Sequence, residues 1–279
     1  MIICNAEADI YVQSGAASMS TDFLPFPVAS ALRRAQEECV RVLVSEGRFG
    51  LRRYRAGETI VAQGDDETRA FFIRDGWGSV SRNLRDGERQ LIEFPIAGDI
   101  LDCSAAAVGH QEEFSALTDM TLWEGPSTRL RTLAECEMAV ASFLTHANRR
   151  RRCTLVERLI DLAKRDAGMR IAHFLLELGV RLALNGVGSH KGYQCPLTQQ
   201  DLADTLGLTP IHANRMLRDA RTLGLYEFRR GRVEFIDYAA TVEFADFDAD
   251  FLTRAGLIPT STAGPQPDSK GKLFLKENE

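Results

Sequence analysis

The segment Gln199–Met216, QQDLADTLGLTPIHANRM, constrains this chain more than any other stretch. Thr198 stands where a hydroxyl can cap a first helix, with Asp201 at the N3 place of a capping box. Thr209 stands likewise before a second helix, with Pro210 at its N1 place. Between them Gly207 tolerates positive φ in a tight turn, and Ala203 is the small residue that two helices crossing at roughly 100° need where their backbones approach. Leu202, Leu206, Leu208, Ala213 and Met216 have the spacing that packs such a pair on one core. The segment therefore reads as a helix-turn-helix. Beyond it, Gly224–Tyr226, Phe228 and Val233–Ile236 alternate around Arg229-Arg230-Gly231, the pattern of a two-stranded wing.

The first residues of such a second helix reach base edges in a major groove, so Ile211, His212, Asn214 and Arg215 are the expected readers of double-stranded DNA. Arg215 leads, because its fork pairs with two acceptors of guanine; Asn214 either pairs with adenine or faces the domain core. Thr198, Gln199, Thr209, Arg218, Arg229 and Arg230 are the expected phosphate contacts. The competing reading is a ligand-binding regulatory module whose winged domain docks protein. A docking face gains from apolar exposure, whereas His212, Asn214, Arg215 and Arg218 present hydrogen-bonding groups. An enzyme is not expected: the chain carries no Walker loop, Gly-x-Ser-x-Gly elbow or metal-ligand cluster.

The 279 residues leave room for a second domain, and 44% hydrophobic with 26% charged residues is an ordinary globular make-up. The net charge of −5 argues against a protein that coats nucleic acid indiscriminately. No uncharged stretch approaches the roughly 20 apolar residues of a membrane span, and the first residues lack a basic signal-peptide start, so a cytoplasmic location is expected. Cys4, Cys39, Cys103, Cys136, Cys153 and Cys195 lie too far apart for a Cys-x2-Cys site, and neither metal nor cofactor is expected.

Residues 1–25 and the tail after 260 show no periodicity and are expected to be poorly ordered extensions. Val28–Val44 has helical spacing. From Leu51 to Trp123 brief apolar or alternating runs are separated by RAGE, QGDD, RDG, IAGD and VGHQ, which predicts a jelly-roll-like antiparallel β-roll. The expected strands are Leu51–Arg55, Thr59–Ala62, Ala70–Arg74, Gly78–Leu84, Glu88–Phe94, Phe114–Leu117 and Met120–Glu124, with a hairpin at Arg85-Asp86-Gly87. Neither Gly nor Pro occurs from Thr132 to Lys164, so one long helix is expected there. Leu155, Leu159 and Leu162 form a seam suited to a second copy, the alternative being packing within the same subunit. Arg149–Arg152 read as a solvated face of this helix, the alternative being an anion site, and Gly168 as a hinge after it. The expected architecture is thus α+β: a roll over 26–131, a dimerisation helix over 132–166, a winged helix-turn-helix over 167–240 and a C-terminal extension over 241–279.

Two stretches resemble the Crp/Fnr family of bacterial regulators: RRYRAGETIVAQGD, FFIRDGWGSV, DGERQLIEFPIAGDIL and SALTDMTLWE its cyclic-nucleotide-binding-like roll, and RIAHFLLEL with LTQQDLADTLGLTPIHANRML its DNA-binding domain. The resemblance implies a homodimer joined through the long helix, a palindromic site and contact with RNA polymerase. Its cAMP-binding members carry a Gly-Glu and an Arg-Ser pair, for which this chain has Gly98-Asp99 and Phe114-Ser115. Their purine-side hydroxyls fall on Leu155 and Val156. A degenerate effector pocket formed by Gly98, Asp99, Cys103, Phe114 and Ser115 is expected not to bind cAMP. The family's iron-sulphur sensors need clustered N-terminal cysteines, and Cys4 stands alone. The effector is therefore open: an unknown small molecule, a redox-sensitive cysteine, or none; Cys103, in the former ligand loop, reads as a small apolar filler rather than a sensor, since nothing near it is suited to lower a thiol pKa. His110 as a haem ligand is disfavoured against a solvated loop histidine.

Overall fold

The computed structural model describes residues 26–66, 68–103 and 111–253, with side chains from residue 29 onward. Cys4, His110, the extension 1–25 and the tail beyond 260 lie outside the described residues. Helix α1 (Phe26–Ser45) buries Leu32, Cys39, Val40 and Leu43 on one face, at the helical period that predicts it.

Eight strands follow: β1 (Gly50–Tyr54), β2 (Thr59–Val61), β3 (Arg69–Asp75), β4 (Gly78–Asn83), β5 (Arg89–Glu93), β6 (Ile100–Cys103), β7 (Glu113–Ala116) and β8 (Met120–Pro126). They pair in antiparallel fashion as two sheets, β1-β8-β3-β6 and β2-β7-β4-β5, which close a roll around Ile60, Val61, Phe71, Ile73, Val80, Leu101, Phe114, Met120 and Leu122. The hairpin at Arg85-Asp86-Gly87 forms as expected, Leu84 N–H donating to Glu88 O at 2.8 Å. Strand β6 is an addition to the expected set. Only Leu101 in it is fully buried, so no alternation marks it in the sequence.

The expected single helix is two. Helix α2 (Ser127–Cys136) begins before the expected boundary at 132, and α3 (Met138–Lys164) follows after Glu137, whose backbone is extended at φ −111, ψ 105. Good helix formers surround Glu137, so the break comes from packing: α2 buries Leu130 and Leu133, and α3 buries Val140 and Phe143, the latter's ring 5.8 Å from that of Phe72. Arg150 is buried too, which corrects the reading of Arg149–Arg152 as wholly solvated; the other three are exposed.

The turn out of α3 lies at Arg165 and Asp166, both extended, and not at Gly168. Asp166 caps α4 (Ala167–Leu184) by accepting from Met169 N, which places Gly168 inside the first helical turn. After β9 (Gly192–Gln194) come α5 (Gln199–Leu206), α6 (Pro210–Thr222), β10 (Tyr226–Arg229) and β11 (Arg232–Phe235). The wing is a three-stranded sheet in the order β10-β11-β9, one strand more than expected, because the Gly-rich stretch before Cys195 contributes β9. The extension from 241 carries structure: α7 (Tyr238–Ala245) and α8 (Asp250–Thr253) pack Phe247 and Phe251 around His173 of α4.

One apolar cluster runs from α1 and the outer face of the roll, through Leu91 and Phe94, into α4, the helix-turn-helix and the wing. The Phe94 and Phe174 rings lie 5.8 Å apart across this junction. No helix among the described residues is long and apolar enough to cross a membrane, and among them no group of His, Cys, Asp and Glu is arranged to hold a metal ion.

Candidate nucleic-acid interface

Helices α5 and α6 are built by the local devices read in the sequence. Thr198 Oγ1 accepts from Asp201 N at 3.1 Å, and Asp201 Oδ2 accepts in return from Thr198 N at 2.9 Å, closing a capping box. Gly207 ends α5 in the left-handed region at φ 62, where a β-carbon would be strained. Thr209 Oγ1 accepts from His212 N at 3.2 Å, and Pro210 occupies N1, where no intrahelical donor is lost. Leu202, Ala203, Leu206 and Ala213 are buried, with Leu208 and Met216 packed at the edge of the same core.

Burial of Ala213, Leu217 and Ala220 fixes the phase of α6. Ile211, Asn214, Arg215 and Arg218 therefore point outward and are exposed, while His212 is half-buried. Asn214 faces outward and not into the core: its Nδ2 donates to Gln199 Oε1 at 2.9 Å, which joins the start of α5 to the outer face of α6. Thr198 and Thr209 are exposed at the two caps. At the wing tip Arg230 and Gly231 both have positive φ, 51 and 71, as a two-residue type I′ turn requires. Arg229 and Arg230 are exposed, and Arg229 Nε lies 3.1 Å from Glu227 Oε1. The expected readers and phosphate contacts thus stand on the two caps, α6 and the wing, all exposed except the half-buried Gln199 and His212.

Leu155, Leu159 and Leu162 are exposed on α3, together with Val156 and Ile160. An open groove lined by Asn148, Arg151, Arg152, Leu155, Val156 and Leu159 runs beside them.

The five residues grouped as an effector pocket are not brought together. Phe114 fills the roll interior, its ring 5.5 Å from Phe71, with Cys103 packed at the edge of that cluster. Burial pushes the Cys103 thiol up to about 12. Ser115 donates to Glu113 at 2.7 Å. Gly98 and Asp99 instead form the turn before β6 and face the helices. Gly98 has φ +88, and a β-carbon there would strike Gln36 and Asn185. Asp99 accepts from Arg150 of α3 at 3.0 Å and from Arg181 of α4 at 2.8 Å.

The pairing of that carboxylate with two buried arginines is the main feature the sequence reading overlooked. Burial works against the charge on Arg181, but Asp99 and Glu177 outweigh it and raise its pKa; burial lowers that of Arg150 despite Asp99. Arg158 continues the polar layer by pairing with Glu177 at 2.8 Å and lying 4.4 Å over the Phe174 ring. A signal was present: Glu177 and Arg181 stand four residues apart inside the apolar run of α4.

Residues 169–240 match the Crp-like helix-turn-helix domain, and residues 51–136 match the cyclic nucleotide-binding domain. The nitrogen fixation regulation protein FixK of Rhizobium meliloti is 30% identical over 190 residues, spanning 62% of this chain and 81% of that protein. The electron transport regulator A of Shewanella oneidensis is 26% identical over 183 residues, 65% of this chain and 73% of that one. Among solved structures, FixK2 from Bradyrhizobium japonicum superposes with a TM-score of 0.62 at 21% identity, covering 70% of this chain and 96% of its own.

Proposed function

The chain belongs to the Crp/Fnr family of DNA-binding transcription regulators, and on that premise we propose that it acts as a homodimer which reads a palindromic operator through the outer face of α6. One observation carries the reading: Ile211, Asn214, Arg215 and Arg218 stand exposed together on the second helix of the helix-turn-helix, held there by the buried Ala213, Leu217 and Ala220.

In this reading Arg215 forks onto guanine, Asn214 and His212 contact neighbouring base edges, and Thr198, Gln199, Thr209, Arg218, Arg229 and Arg230 hold phosphates. Leu155, Leu159 and Leu162 join two copies so that their α6 helices meet half-sites about 34 Å apart. RNA polymerase is the further partner that family membership implies. The roll is not a cAMP receptor, since Phe114 fills the roll interior where that ligand's phosphate would need a cation. Residues 26–126 serve as the sensor, 127–164 as the link and dimer helix, and 167–253 as the reading domain with its bracing helices.

Selection from random double-stranded DNA tests the reading. Arg215→Ala is expected to lose about 1–3 kcal/mol and the preference at one base pair per half-site, whereas Arg218→Ala weakens binding to all sequences and flattens the salt dependence. A wild-type motif with undiminished information from Arg215→Ala refutes the role given to Arg215.

A further inference from the structure

We infer that Ile211 reads the 5-methyl group of a thymine, one or two base-pair steps from the guanine taken by Arg215. The inference rests on the proposal that α6 lies in a major groove, and it adds a specific base and contact to it.

Ile211 is 85% exposed, beyond every other large hydrophobic residue among those described. An isolated exposed apolar side chain carries no meaning by itself. Its setting supplies the meaning. Ile211 stands in the first turn of α6, directly after Pro210, on the polar outer face that bears Asn214, Arg215 and Arg218 and opposite the buried stripe. Arg215 is four residues on, one helical turn or about 6 Å along the axis, against about 3.4 Å per base step. The two side chains therefore meet neighbouring bases of one half-site.

The chemistry narrows the partner to one base. Ile has neither donor nor acceptor, and thymine alone presents a methyl group in the major groove; adenine, guanine and cytosine present polar edges there, which an apolar side chain would strip of water without replacing the lost bonds. Ile is also branched at Cβ, so in a helix it holds mainly one χ1 rotamer and loses little freedom on contact. Asn214, bonded to Gln199, and the flanking arginines supply the polar grip that Ile211 lacks.

The test uses the full-length protein and the operator it selects from random DNA. Each thymine of a half-site is replaced in turn by deoxyuridine, which removes the methyl and keeps the base pair. One replacement per half-site is expected to weaken wild-type binding roughly three- to fivefold, the value of one buried methyl. Ile211→Ala, which touches an exposed site and leaves the core intact, is expected to bind the thymine and uracil operators equally and to keep the guanine preference set by Arg215. Uracil tolerated at every thymine by the wild type, a motif with no thymine within two steps of that guanine, or uracil sensitivity undiminished in Ile211→Ala would each overturn the inference. Failure of the underlying reading looks different: Arg215→Ala would then leave the guanine preference untouched.

Discussion

Arg89, the first residue of β5, donates to Asp204 of α5 at 2.9 Å, and the same guanidinium reaches Asp201 at 3.1 Å. Asp201 also closes the capping box of α5, so one carboxylate serves both the local helix start and the contact with the roll. Gln90 adds a bond to Thr205 O at 3.3 Å. The β4–β5 hairpin therefore rests on the first helix of the helix-turn-helix. Arg89 is 42% exposed, so the ion pair with Asp204 is expected to contribute under about 1 kcal/mol. A double-mutant cycle of Arg89→Ala and Asp204→Ala by urea unfolding measures it, and a coupling well above that value contradicts the expectation. Amide exchange along α5 is expected to rise in Arg89→Ala, because the hairpin no longer holds it.

The bonds from Arg150 and Arg181 to Asp99 are shielded, all three side chains being at most 15% exposed. Asp99→Ala leaves two guanidinium groups facing one another in a desolvated junction. A loss of about 3–5 kcal/mol is expected from urea unfolding, far more than for Arg89→Ala, because a buried charge stripped of its partner cannot return to water. A loss below about 1 kcal/mol refutes the idea that this carboxylate ties the roll to α3 and α4.

The helix-turn-helix is legible in the sequence because its determinants are local: two capping threonines, a proline at N1, a left-handed glycine and an alanine at the crossing. What the sequence reading missed depends on distant packing. Nothing near Glu137 stops a helix; the break follows from two apolar faces seated on different surfaces. β9 is three residues whose partners, in β11, lie about 40 positions away in chain order. Arg150 hides among four consecutive arginines, yet its phase was readable: Val140, Phe143, Ala147 and Arg150 continue one stripe at intervals of three and four. Gly98 and Asp99 were placed with Phe114 by motif likeness, a criterion blind to the turn before β6 that aims them at the helices.

Burial pushes the thiols of Cys39, Cys103 and Cys195 up to about 12 from an ordinary value of 9.0. The folded state then retains protons that the unfolded chain releases above pH 9. The stabilisation is complete below that pH and is lost as pH rises toward 12. Urea midpoints are expected to hold steady from about pH 7 to 8.5 and to fall beyond pH 9. At pH 8 these thiols stay protonated, so iodoacetamide is expected to modify the exposed Cys136 well before them. Rapid alkylation of Cys103 in the folded protein contradicts this and reopens it as a redox sensor.

Helix α3 has two faces out of phase with one another. Val140, Phe143, Arg150, Arg158 and Asp161 turn inward and are buried, while Leu155, Leu159 and Leu162 face solvent with Val156 and Ile160. Leu162 also lies beside Gly207 of its own subunit, its Cδ2 3.4 Å from where a β-carbon there would stand, but all five branched aliphatic side chains keep apolar area in water, which is unfavourable by about 25 cal/mol for each Å² that a second copy would cover. The groove lined by Asn148, Arg151, Arg152, Leu155, Val156 and Leu159 offers a hole for a knob from the facing helix. Leu159 is 67% exposed, so Leu159→Glu should leave the subunit folded, with an unchanged circular dichroism spectrum. In a dimer the same substitution buries two unpaired carboxylates against apolar side chains, and sedimentation at micromolar concentration is expected to shift to monomer. Operator affinity should fall with it, since each half-site would then be bound without the gain from a linked partner. Full dimer retained by Leu159→Glu at micromolar concentration would place the subunit contact elsewhere.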